Sequence, residues 1–170
     1  MTQPPSAPAP TSVPMPSPKD LEVLDFEAVE EKWNNYELAD QTILKARIIL
    51  TRITRPKRGP IGQYGISAQT IFSVSAPPEK RSEPMQIPPA SEWKDLPKDP
   101  IRILTTSEPW NKYRIPKTGD VLQVKLVATE VFRVRGQFDN FGEPFYIVTS
   151  GPIVAPATKA SVTLGLEGPR

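Results

Sequence analysis

The chain has 170 residues, among them 22 Pro and 9 Gly but no Cys and no His. That composition excludes disulfides, thiolate or imidazole metal ligation, cysteine nucleophiles and any Ser-His-Asp or Cys-His machinery. The net charge of +2 conceals an asymmetry: residues 1–31 hold one base and six acids, whereas residues 32–170 hold 20 bases and 13 acids. An acidic segment ahead of a basic body either folds back onto that body or serves as a docking handle.

The N-terminus lacks a basic region followed by an apolar one, and no apolar run approaches the ~20 residues of a spanning helix. The expectation is a cytoplasmic protein without membrane insertion. Residues 1–18 contain seven prolines among small polar residues, a composition that buries too little apolar surface to offset ordering entropy. They read as a disordered Pro-rich tail.

Ser17 as a cap, Pro18 at a first helical position and Asp20 three residues after the cap predict a helix start. Val23, Phe26, Val29 and Trp33 then recur every three or four residues, which predicts an acidic amphipathic helix over 19–33. Val23, Phe26 and Val29 on its apolar face are the candidate partner-binding residues.

After Trp33 the period becomes strand-like. Trp33-Asn34-Asn35-Tyr36 matches Trp110-Asn111-Lys112-Tyr113, and each opens a polar turn followed by a long β-rich run. The runs Ile43 to Arg55 and Val121 to Arg133 match at an offset of 78, apolar opposite apolar nearly throughout. Each leads through a Gly-containing loop into a second run, Thr70 to Val74 and Phe145 to Thr149. The pattern reads as an internal duplication, with a first β repeat over 34–76 and a second over 101–155. Residues 77–100, with seven prolines, form the linker, carrying at most a short helical turn over Ser91–Leu96. Residues 156–170 form a C-terminal tail with a strand candidate at Ser161–Leu164.

One repeat is too short for an independent core without metal or disulfide. The fold class is therefore all-β, with duplicated hairpin units sharing one core, as a barrel or a two-sheet sandwich. Runs of 13 residues exceed ordinary strand length and predict a bend or bulge. Symmetric pairing of the copies would bring Arg52 and Glu130, which align, into an ion pair.

Lys45, Arg47, Arg55, Lys57 and Arg58 cluster in the first copy, and Lys125, Arg133 and Arg135 in the second. Alternation places Lys45, Arg47 and Arg55 on one strand face, and the three bases of the second copy likewise. Side by side these faces would make a basic stripe, with Tyr64, Phe138 and Phe141 as stacking surfaces, suited to nucleic acid. No carboxylate pair, phosphate loop or calcium loop stands out, so the chain reads as a non-enzyme without cofactor or metal. The resulting expectation is a binding or assembly module, an accessory or structural subunit with a protein partner or a second copy of itself. A nucleic-acid-binding barrel using the Lys/Arg face is the alternative.

Overall fold

The computed structural model describes residues 17–159 and is mostly strand, with three short 3-10 turns. They are β1 (Leu21–Leu24), β2 (Glu27–Glu30), β3 (Asn34–Leu38), β4 (Ile43–Pro56) and β5 (Gly65–Ser75), then β6 (Lys98–Pro100), β7 (Ile103–Ser107), β8 (Asn111–Ile115), β9 (Asp120–Phe138) and β10 (Pro144–Lys159). They form two antiparallel five-stranded sheets, and the barrel option is not realised. In the first sheet β5 lies along one edge of β4, β3 and β1 share its other edge, and β7 borders β3. In the second sheet β10, β9, β8 with β6, and β2 repeat that order. The buried faces of both sheets meet in one core, with Tyr36, Leu44 and Ile48 from the first and Tyr113, Leu122 and Leu126 from the second.

The N-terminal helix over 19–33 does not form. Pro18–Asp20 makes a single 3-10 turn, without a side-chain cap from Ser17, and the chain then extends into β1 and β2. Helical spacing loses here to sheet pairing. Leu21–Leu24 supplies backbone partners to the far end of β4, from Leu21 opposite Pro56 to Leu24 opposite Ile53, and unpaired ladder groups there would be costly. Leu24 is buried, whereas Val23 and Val29 are 63% and 60% exposed. The apolar face that helical spacing implied therefore does not exist.

The two halves correspond strand by strand. Leu21 faces Pro56 as Lys98 faces Val134, and Asn34 faces Ala46 as Asn111 faces Val124. β2 nevertheless leaves its own half to pair with β8, and β7 leaves its half to pair with β3. Each half thus completes the other's sheet. The crossovers are locked by side chains at matching places: the Tyr36 hydroxyl donates to Glu108 (2.9 Å) and the Tyr113 hydroxyl to Glu31 (3.1 Å). The buried Asn34 donates to the Leu126 carbonyl (2.8 Å), and Asn111 accepts from the Lys32 amide (2.7 Å).

The predicted bulges also match. Register slips between Leu50 and Arg52 in β4 and around Thr129 in β9, with Thr51 and Thr129 donating to the Ser67 and Thr149 carbonyls. One extra residue reverses inside–outside parity. Buried residues are even-numbered through Leu50 and Leu126, then odd at Ile53 and Val131. Arg52 and Glu130 both lie exposed beside their bulges, and they make no ion pair among the described residues.

The β3–β4 and β8–β9 turns each contain one left-handed residue, Gln41 (φ 69°) and Gly119 (φ 71°). A side chain strains that conformation, while glycine enlarges the unfolded ensemble. In urea unfolding, Gln41→Gly should stabilise and Gly119→Gln destabilise, each by about 0.5–1 kcal/mol. Equal signs would show that the two turns are not equivalent.

Candidate functional site

Among the described residues the long hairpin β4–β5 presents an open sheet edge. Its pairing runs from Ile43 opposite Ser75 to Thr54 opposite Gly65, all on the β4 side. Among the described residues no strand pairs with the other side of β5, whose backbone N–H and C=O groups are a template for a further strand. Gly65-Ile66-Ser67-Ala68-Gln69-Thr70-Ile71-Phe72-Ser73-Val74-Ser75 contains no charge and no proline, two of the devices by which edges are ordinarily blunted. Ile71 on the outer face and Phe72 on the core-side face are each 41% exposed, and Ala68 is exposed as well. The core is thus left open along this margin.

The matching strand β10 differs at one decisive position. Ile48 faces Thr70 in the first half, and its counterpart Leu126 faces Pro152 in the second. Proline is accommodated in a strand where its missing N–H would point to the open side. It blocks edge pairing on β10 at the place where Thr70 leaves β5 free.

The eight bases do not form a stripe. Because of the bulges, Arg55 lies on the opposite face of β4 from Lys45 and Arg47, and Arg133 on the opposite face of β9 from Lys125. Most are engaged within the chain. Arg47 pairs with Glu31 and Arg55 with Glu22 (2.8 Å), Arg133 approaches Asp40 (3.8 Å), and Arg135 pairs with Asp99 (2.5 Å). Lys57 donates to the Lys19 carbonyl (2.8 Å). Arg47 also lies 6.0 Å from the Trp33 ring centre, and Lys125 lies 5.2 Å from that of Trp110. Lys45 and Arg58 are exposed.

The acidic segment supplies many of these partners, so it folds back onto the basic body. Glu22 binds Arg55 and Lys117, Glu27 binds Arg114, and Glu30 binds Lys32 and Lys112. Hydrogen bonds from Lys117 and Arg55 hold the Glu22 carboxyl below the usual range, and Lys32 and Lys112 do the same for Glu30. Of the candidate partner-binding residues, Val23 and Val29 stand on different strands. Phe26 packs edge-on against Tyr113, with ring centres 5.8 Å apart.

A cleft of about 610 Å³ opens between Arg55, Tyr64 and Leu21 on one side and Leu122 and Val154 on the other. Its charged and phenolic groups are already committed, Arg55 to Glu22 and Tyr64 to Asp120. Among the described residues no group of three His, Cys, Asp or Glu side chains could hold a metal ion, and no helix is long and apolar enough to cross a membrane.

No family model, curated protein or solved structure matches this chain. Two constellations escaped the sequence patterns. The first is the glutamate two positions before each Trp-Asn-x-Tyr, Glu31 and Glu108, which extending the motif by two residues would have revealed. The second is a pair of tyrosine clasps, Tyr64 on Thr118 and Asp120, and Tyr146 on Asp40 and Thr42. Here Asp-x-Thr in one turn stands as Thr-x-Asp in the other, so matching by residue identity misses it.

Proposed function

We propose that this protein is a non-enzymatic binding and assembly module that receives a strand of a partner protein on the open side of β5. The observation that carries this reading is an eleven-residue edge without charge or proline, exposing Ile71 and Phe72. Strand addition draws its affinity from main-chain hydrogen bonds and its specificity from alternate side chains, and β5 offers both. The strand-exchanged halves fix this edge on a single rigid core. The β10 edge, with Pro152, is unsuited to the same use.

A photocross-linking residue at Phe72 should form covalent adducts with another protein chain on illumination in the cell, while the same residue at Glu37, within the sheet, should not. Absence of adducts at Phe72 would reject the reading.

Nucleic-acid binding is the weaker alternative, because a phosphate would have to displace carboxylates from Arg47, Arg55, Arg133 and Arg135. Fluorescence anisotropy of labelled oligonucleotides at about 50 and about 200 mM salt should show no more than weak association. Micromolar binding that falls steeply with salt and is lost with Arg47→Glu and Lys125→Glu would replace the strand-addition reading.

A further inference from the structure

We infer that the strand added to β5 is β5 of a second copy of this chain, pairing antiparallel about a two-fold axis through Thr70. This rests on the strand-addition reading and names its partner. In that register Gly65 of one copy faces Ser75 of the other. On the core-side face Phe72 meets the small Ala68, and Ile66 meets Val74. On the outer face Ile71 meets Gln69 and Ser67 meets Ser73. Large residues oppose small or β-branched ones throughout, and no like charges meet, which is what a self-complementary pair requires.

Charge beyond the strand favours the same orientation. Antiparallel pairing keeps the two hairpin tips, each with exposed Lys57 and Arg58, at opposite ends of the joint, whereas parallel pairing would set base against base. A two-fold contact uses the same patch on both copies and therefore closes at the dimer. Pro152 on the corresponding edge of β10 keeps the assembly from growing from its other sheet. The dimer joins two five-stranded sheets into one continuous sheet and covers Ile71, Phe72 and Ala68.

Sedimentation equilibrium of the full chain should show a reversible species of twice the 18.9 kDa chain mass. Thr70→Pro places in β5 the residue that β10 already accommodates at the matching position. It should weaken dimerisation at least about tenfold, the equivalent of ~1.4 kcal/mol, while far-UV circular dichroism and the melting of the monomer stay close to those of the parent. A second pair of variants tests the register without touching the backbone. Ser67→Lys with Ser73→Lys sets like charges opposite each other and should dissociate the dimer. Ser67→Lys with Ser73→Glu sets opposite charges together and should retain it.

A chain that stays monomeric at 100-fold dilution steps up to its solubility limit overturns the inference, as does a dimer indifferent to Thr70→Pro and to both serine pairs. If the chain is monomeric yet cross-links through Phe72 to a different protein, the strand-addition reading stands and only the self-pairing falls. If it is monomeric and forms no adduct at Phe72, both fall.

Discussion

Replacing Asp120 with alanine is expected to lower the unfolding free energy by about 2–3 kcal/mol. This carboxylate is 4% exposed and stands at the β8–β9 turn, where it accepts from the Tyr64 hydroxyl and from Lys159 (2.7 Å). Tyr64 enters from the β4–β5 hairpin, so the contact ties the end of one sheet to the other. Alanine removes the charged acceptor and leaves the phenol only the Thr118 hydroxyl (3.1 Å), and that loss outweighs the release of an exposed lysine. Asp120→Asn keeps an acceptor oxygen for Tyr64 and should cost less than half as much. A comparable loss for both variants would mean that the charge, not the clasp, matters. The mirror contact, Asp40 accepting from Tyr146 (2.5 Å), should respond in the same way.

The pH dependence follows with a definite sign. Burial raises the Asp120 carboxyl, but hydrogen bonds from Lys159, Tyr64 and Thr118 outweigh it and leave the group below its usual value. For Asp40, burial is likewise outweighed by Tyr146 and Thr42. A carboxyl lowered in the folded state adds stability that is complete above its unfolded value, near 3.9, and is lost as pH falls through the folded value. The urea midpoint should therefore hold through neutral pH and drop below about pH 4. Asp40→Asn and Asp120→Asn together should flatten that acid limb. An unchanged limb would place the titrating groups elsewhere.

The strand content of this molecule was legible because alternation in Ile43 to Arg55 and Val121 to Arg133 is a local property of the chain. Repetition was legible too, since Trp-Asn-x-Tyr survives in both halves. Two things were not. Val23, Phe26 and Val29 fit a helical period as well as a pair of short strands, and only the free edge of β4 at Ile53–Pro56 decides between them. The basic stripe failed because Thr51 and Thr129 each add one residue, which reverses every side chain beyond them. The apolar parity changes at Ile53 and Val131, but a single-strand pattern read as unbroken alternation passes over that change, and the pairing partner fixes it. The β5 edge is a third kind of case. Its lack of charge is plain in the sequence, but its position at the margin of a sheet is a property of topology.

The strand exchange leads to the last large effect. Glu108→Ala should cost about 2–4 kcal/mol, because it strips two donors at once. One is the hydroxyl of Tyr36, a residue 1% exposed, and the other is the Ala128 amide at 3.1 Å. Burial first, and then the adjacent Glu108, push the Tyr36 phenol up to about 12, so it remains a hydrogen-bond donor at any pH at which the protein is handled. Glu108→Gln keeps an acceptor and should recover most of the loss. Combined with Tyr36→Phe, the alanine variant should show a coupling of about 1 kcal/mol or more in a double-mutant cycle. Hydrogen exchange then separates a local contact from a lock between sheets. Glu108 lies between β7, which belongs to the first sheet, and β8, which belongs to the second. Releasing it should speed amide exchange in β3 and in β8 together. Faster exchange confined to one of them would mean that the exchanged strands bear no joint load, and that each half holds its own sheet unaided.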